Sequence, residues 1–239
     1  MNMQKFDLKK FQTSKVSRGN IKEIKIPEKN ERLAELIGII LGDGNIQYDR
    51  HGYSLRIVGD SIKDKEYLLG YVKPLCDSLF GVDSKVSKHR TFNELFIKVH
   101  RKRVLEFLFS VGLAAGDKIK SQETIPRWVF ENDQYLKACI RGLVDTDGSI
   151  YELLPHWPGL WQICFTNRND TLMNDFREGL IKVGIGCSKI YNYKDGKKTP
   201  KVYITKKIEL GKFYKEIGFS NPKHRNKIAP SSSGHIVPQ

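Results

Sequence analysis

Ile140-Arg141-Gly142-Leu143-Val144-Asp145-Thr146-Asp147-Gly148 matches Leu36-Ile37-Gly38-Ile39-Ile40-Leu41-Gly42-Asp43-Gly44 position by position, and both stretches end in Asp-Gly. Around them, Leu33, Leu36, Ile37, Ile40 and Leu41 recur at helical spacing, as do Leu136, Ile140, Leu143 and Val144. Each stretch therefore reads as a helix with one carboxylate at its C-terminal end. The apolar runs are too short to cross a bilayer. Gly38 and Gly42 share one helix face, as do Gly142 and Thr146. Small residues at that spacing let two helix backbones approach closely. Gly44 and Gly148 fit the position where a left-handed residue ends a helix.

Asp43 and Asp147 are electrostatically misplaced in isolation. A helix C-terminus carries partial negative charge and free carbonyls, so a carboxylate there asks for a compensating cation. Carboxylates and carbonyl oxygens are hard ligands suited to Mg²⁺. One Asp-Gly could be ordinary turn chemistry. Two in register point to paired carboxylates at a two-fold centre, an arrangement able to hold divalent metal at a phosphodiester.

The two segments resemble the paired motifs of the LAGLIDADG homing endonucleases, in the single-chain form that carries both copies. The resemblance implies that Asp43 and Asp147 bind metal and that the carbonyls of Gly42 and Thr146 assist. It implies an α+β fold, a pseudo-two-fold saddle of two α-β-β-α-β-β-α halves with antiparallel sheets. It also implies Mg²⁺-dependent cutting of both DNA strands, with Mn²⁺ as a substitute. The first copy departs at Leu41, where the second has Asp145. Basic or amide residues flank the acids in that family. Asn167-Arg168 resemble that pair, Lys63 stands in the ambiguously aligned first-half stretch, and Lys102 and Lys206 open the last helix of each half.

Composition agrees. The 239 residues carry 41 Lys+Arg against 27 Asp+Glu, a formal charge of +14, which favours a polyanionic partner. The four cysteines form no C-x-x-C pair, so reduced thiols and an intracellular protein are expected. The histidines show no zinc pattern, and no signal peptide or transmembrane span is visible. Met1 at the start and Pro238-Gln239 at the end lack the splicing Cys and His-Asn of an intein, so a free-standing or intron-encoded protein is expected.

The repeat extends beyond the motifs. Ile26-Pro27 and Ile125-Pro126 precede the two helices. Strands are predicted over 45–49 and 53–58, then 149–153 and 160–166. Amphipathic helices follow through Leu68–Leu79 and Leu172–Val183. A hairpin comes next, Ser84-Lys85-Val86 with Leu95–Val99, then Ser188-Lys189-Ile190 with Val202–Thr205 around Asp195-Gly196. The last helices end near Gly112 and Gly218. Domain bounds read as a basic tail 1–26, halves 27–113 and 125–225, a linker 114–124 holding Lys118 and Lys120, and a tail 226–239 with a flexible Ser231–Gly234. Lys223, near the end of the second half, is similar in setting to Lys118.

Strand alternation sorts the remaining residues. Val86 and Ile190 should point to the core. Lys85, Ser87, His89, Lys98 and Arg56, with Ser54, Glu94 and Phe96, should share an open face. Lys189, Tyr191, Tyr193, Lys201, Tyr203, Thr205 and Gln162 should form its counterpart. A basic, aromatic, amide-bearing sheet face suits major-groove reading of double-stranded DNA. One chain holding both motifs predicts a monomer without a membrane partner. Two rivals share the fold: a maturase that binds intron RNA, and a DNA-binding regulator that does not cut.

Overall fold

The computed structural model describes residues 23–50, 52–191, 199–230 and 236–238. The first half runs α1 (Glu31–Asp43), β1 (Gly44–Asp49), β2 (Gly52–Asp60) and α2 (Lys65–Tyr67). A π-helical turn, Leu68–Val72, carries α2 into α3 (Lys73–Phe80). β3 (Lys85–Lys88), β4 (Glu94–Val99) and α4 (Lys102–Ser110) complete it. Two short helices join the halves, α5 (Lys118–Ser121) and α6 (Arg127–Phe130). The second half runs α7 (Asp133–Asp147), β5 (Gly148–Leu153), β6 (Trp157–Thr166), α8 (Asp170–Lys182), β7 (Lys201–Ile204) and α9 (Lys207–Glu216). α10 (Pro222–Arg225), β8 (Ile228–Pro230) and β9 (Ile236–Pro238) follow. No described helix is long and apolar enough to cross a membrane.

α1 and α7 form the spine. Asn30 caps α1 by accepting from Leu33 N at 3.0 Å, and Asn132 caps α7 by accepting from Gln134 N at 2.8 Å. Every residue from Leu33 to Leu41 is buried, because α1 meets its own sheet on one side and α7 on the other. The seam is reciprocal. A Cβ on Gly38 would overlap the Cys139 carbonyl, and one on Gly142 would overlap the Glu35 carbonyl. The glycines thus set how near the backbones come, as their spacing predicts.

Both sheets are antiparallel, giving an α+β fold. The first has strand order β1-β2-β4-β3 and the second β5-β6-β7. Ile46, Leu55, Ile57, Ile97 and Val99 face the core, as do Ile150, Ile163, Phe165, Val202 and Ile204. Among the described residues 188–191, the second sheet has no strand where one was expected over Ser188–Tyr193. There only Tyr191 bridges Lys201, and Tyr193 and Asp195-Gly196 lie outside the described residues.

Three further expectations are corrected. Gly44 (φ −84°, ψ 155°) and Gly148 (φ −92°, ψ 162°) are extended, not left-handed. They are small because the chain leaves each helix pressed on its last turn, where a Cβ would strike Ile40 or Val144. Val86 is 43% exposed: it pairs with core-facing Ile97, but β3 is the sheet edge and nothing covers it fully. Ile190 is half-buried against the core. The segment after 226 pairs β8 with β9, while 1–22 and 231–235 lie outside the described residues.

Candidate functional site

The ends of α1 and α7 bring Asp43 and Asp147 together. The space beside Gly42 is so narrow that a Cβ there would lie 3.4 Å from Asp147 Oδ2 and would overlap the Thr146 side chain. Burial pushes the Asp43 carboxyl up to about 7, and repulsion from Asp147 and Asp64 adds to it. Lys118 and Lys223 pull the other way. Asp147 is also raised by burial, against a hydrogen bond from Asn167 Nδ2 at 2.7 Å and the charge of Lys118. Two carboxylates held together and reluctant to ionise form a charge deficit that a hard cation relieves. The described residues hold no group of three or more His, Cys, Asp or Glu able to bind a metal. The fit is therefore to an ion that takes two protein carboxylates and completes its shell with water and substrate oxygens, as Mg²⁺ does.

Lys118 is the main residue that motif reading did not place here. Its Nζ donates to the carbonyls of Ile40 (3.0 Å), Leu41 (2.8 Å) and Gly42 (2.5 Å). This is a cation at the negative end of α1, so part of the compensation anticipated from metal comes from the protein itself. It also means that the Gly42 carbonyl already has a donor. Burial lowers the Lys118 pKa, while Asp147, Glu123 and Asp43 oppose the fall. The available signal was the lysine that follows the last long helix of each half, Lys118 after α4 and Lys223 after α9. The Thr146 hydroxyl donates back to its own helix, to Gly142 O at 2.9 Å and Leu143 O at 3.0 Å.

A cleft of about 250 Å³ borders Asp147, and a second of about 240 Å³ is lined by Lys223. One is lined by Gly42, Lys118, Asp147, Asn167 and Arg168, so the Asn-Arg pair does reach the site. The other is lined by Lys63, Tyr67, Asn221, Lys223 and Lys227. Lys102 and Lys206 take other places. Lys102 pairs with Glu106 at 3.6 Å and lies over the Tyr48 ring, and Lys206 is an exposed N-cap of α9.

Asp145, the extra acid of the second motif, is buried and accepts from Ser220 N at 2.8 Å. Glu35, equally buried, meets Arg141 Nη2 at 2.5 Å and Ser220 Oγ at 2.6 Å. These groups tie the end of the second half to α1. They are structural acids and stand apart from the Asp43–Asp147 pair.

The open sheet faces largely match the alternation. Across the first sheet, register aligns Asn45, Arg56, Lys98 and Lys85 in one row, with Arg56 Nη2 donating to Asn45 Oδ1 at 3.2 Å. Lys98 lies over Phe96, and His89 packs on Phe92 and Phe96. Ser87 sits opposite Phe96. The equivalent row of the second sheet is Ser149, Cys164 and Tyr203. Tyr203 meets the Tyr191 ring edge-on, Lys201 pairs with Thr166, and Lys189 is exposed. Gln162 differs from expectation: it is buried and its amide bonds to the Tyr151 hydroxyl, because Tyr151 stands opposite it on β5 and covers it. Ser54 is likewise buried.

Comparison with known proteins agrees with this architecture. Residues 134–218 match the profile of the LAGLIDADG-like domain. The fold is similar to that of the homing endonuclease I-DmoI solved with DNA and Mn, with a TM-score of 0.55 at 19% identity, over 79% of this chain and 96% of that one. It is similar to the N-terminal LAGLIDADG domain of WhiA, with a TM-score of 0.50 at 18% identity, over 81% of this chain and 86% of that one. Among curated relatives, the replication factor C small subunit of Methanocaldococcus jannaschii is 27% identical over 208 residues, 83% of this chain and 10% of its own length. An A-type ATP synthase subunit of Pyrococcus abyssi is 29% identical over 128 residues, 53% of this chain and 12% of its own length. The chain spans about a tenth of the length of the curated relatives it matches.

Proposed function

We propose that this chain, whose residues 134–218 match the LAGLIDADG-like domain and whose fold is that of LAGLIDADG proteins, is a site-specific, monomeric DNA endonuclease that uses a divalent cation, Mg²⁺ by preference, to cut both strands of a long target. The observation that carries this reading is the meeting of Asp43 and Asp147 at the helix seam, both with raised pKa. A cation held there by the two carboxylates would stabilise charge on the phosphate and lower the pKa of an attacking water. The chain's own residues supply the rest. The cationic row of the first sheet and the exposed lysines and tyrosines of the second bind and orient the duplex, with phosphate contacts setting position and base contacts setting sequence. Asn167 holds the Asp147 carboxylate in place by its 2.7 Å hydrogen bond. Lys118 and Lys223 bring positive charge to the two clefts, one each, beside which the scissile phosphates would lie. The close spacing of the acids suits two cuts near each other across one groove. A target inside the cell and a role in intron homing follow from the same reading.

A specific observation keeps a non-cleaving DNA-binding regulator as the second reading. Lys118 already neutralises the end of α1, so the carbonyl of Gly42 is not free of donors. Incubating the protein with a random-insert plasmid library in Mg²⁺, then sequencing the ends, separates the two. Defined paired ends support the nuclease. Selective retention of duplexes without ends, in Mg²⁺ and Mn²⁺ alike, overturns it in favour of the regulator.

A further inference from the structure

Asp64 precedes α2 and Asn169 precedes α8, and only Asn169 caps its helix, accepting from Leu172 N at 3.1 Å; the Asp64 side chain makes no cap bond. Each reaches toward the segment that carries a site lysine. Asn169 Nδ2 donates to the backbone carbonyls of Lys118 (3.3 Å) and Glu123 (2.6 Å), so it holds the Lys118 backbone and leaves the ammonium to the α1 carbonyls. Asp64 instead takes the lysine's charge: Lys223 Nζ lies 2.7 Å from its Oδ1. Asn221 Nδ2 donates to the same oxygen at 3.4 Å and to the Asp145 carbonyl at 3.1 Å, while Asp60 N donates to Asp64 Oδ2 at 3.0 Å. The Asp64 carboxylate is thereby fixed from its own strand, and the start of α10, which carries Lys223, is fixed from α7. Neither side of the pair is a swinging surface arm: the side chains are 30% and 16% exposed for Lys223 and Asp64.

An ammonium bonded to a carboxylate contributes less field to a phosphate than one bonded to neutral carbonyls, because the pair presents a dipole rather than a charge. Lys118 is of the second kind and Lys223 of the first. Resting on the nuclease reading, we propose that Asp64 is a positioning residue that restrains Lys223, and that this restraint makes one DNA strand the slower to be cut. No covalent step is added by Asp64 itself; it acts only through the lysine.

The test is strand-resolved nicking of a target taken from the plasmid selection, each strand labelled at its own 5′ end, with Mg²⁺ in excess. The native protein is expected to nick the strands at unequal rates. Asp64→Asn should accelerate the slower strand by about tenfold, the equivalent of one charge-assisted hydrogen bond, and leave the faster strand unchanged. Asp64→Glu should restore the bias. A second readout needs no cutting: acetylation of Lys223 by acetic anhydride, followed by mass spectrometry, should rise in Asp64→Asn relative to Lys118 in the same molecule. A bias unchanged in Asp64→Asn, both strands slowed together, or Lys223 no more reactive than in the native protein would each overturn the proposal. Absence of any cutting by the native protein would instead overturn the nuclease reading, and this inference with it.

Discussion

α1 and α7 end alike in sequence and differently in structure. α1 ends in Leu41-Gly42-Asp43, and its last carbonyls are sealed by the ammonium of Lys118. α7 ends in Asp145-Thr146-Asp147; there the Asp145 carbonyl takes the neutral amide of Asn221, and Asn167 steadies Asp147. A chain of two halves folded from one repeat need keep only what the pseudo-dyad itself requires: the glycine seam and the two acids. Everything that touches one half alone is free to diverge, and it has. Both ends reach the site, one with its carbonyls bonded to a cation and the other with neutral amides.

The largest predicted effect breaks the shared part. Asp43→Asn or Asp147→Asn should each reduce double-strand cleavage by roughly 10³-fold while duplex binding in Ca²⁺ stays near native. Ca²⁺ should support binding without cutting, since its looser coordination suits hydrolysis poorly. Full cutting by either variant in Mg²⁺ would show that the acids are not equivalent partners. Next in size, Gly38→Ala or Gly142→Ala must push the helices apart. Each should cost about 3 kcal/mol in urea unfolding, since the added methyl meets backbone that cannot rotate away. Gly70→Ala meets open space and should cost far less. Equal losses at all three positions would remove the seam from the comparison.

The legible features were those set by periodicity and repetition. Helical spacing exposed α1 and α7, the small residues exposed their close approach, and strand alternation placed Arg56, Lys98 and Lys85 on one face. Features set by long-range geometry were not legible. Gly44 looks like a left-handed cap from its neighbours alone, but its backbone is extended because the next strand leaves directly off the last turn. Val86 alternates correctly yet is exposed, because alternation does not reveal which strand is at the edge. Lys118 is far from Gly42 along the chain, and only the fold of the linker onto α1 gives it a role. Gln162 looked available for DNA until the structure set Tyr151 opposite it.

A pH series sharpens the comparison of the acids. With its folded pKa raised to about 7 from an ordinary value near 3.8, Asp43 contributes stability that is full below the ordinary value and is lost as pH rises through about 7. The metal-free protein should therefore lose stability between pH 4 and 7. Asp43→Asn removes that loss and should gain about 2 kcal/mol over native at pH 8 and nothing at pH 4, less than the full shift would give because the residue keeps some contact with solvent. Thermal melts in EDTA read the difference, and added Mg²⁺ should narrow it by binding the native pair. Parallel curves for native protein and variant from pH 4 to 8 would mean that burial beside Asp147 does not raise the Asp43 carboxyl.

The smallest effect separates the sheets. The first presents the row Asn45, Arg56, Lys98, Lys85, and the second presents Ser149, Cys164, Tyr203 in the same place. Each phosphate-bound cation releases counterions, so its loss lowers the slope of log affinity against log salt by about one. Arg56→Ala and Lys98→Ala should each do this, or relax preference at one base pair if the side chain reads a base. Tyr203→Ala in the second sheet carries no charge to lose. It should leave the slope unchanged and act only on sequence preference, through the ring that packs against Tyr191. Binding titrations in Ca²⁺ from about 50 to 300 mM salt measure both quantities without cleavage. If Tyr203→Ala lowers the slope as Arg56→Ala does, the tyrosine is positioning a cation on the backbone, and the two sheets grip DNA in the same way despite their different rows. If neither variant moves slope or preference, the duplex does not lie across these faces.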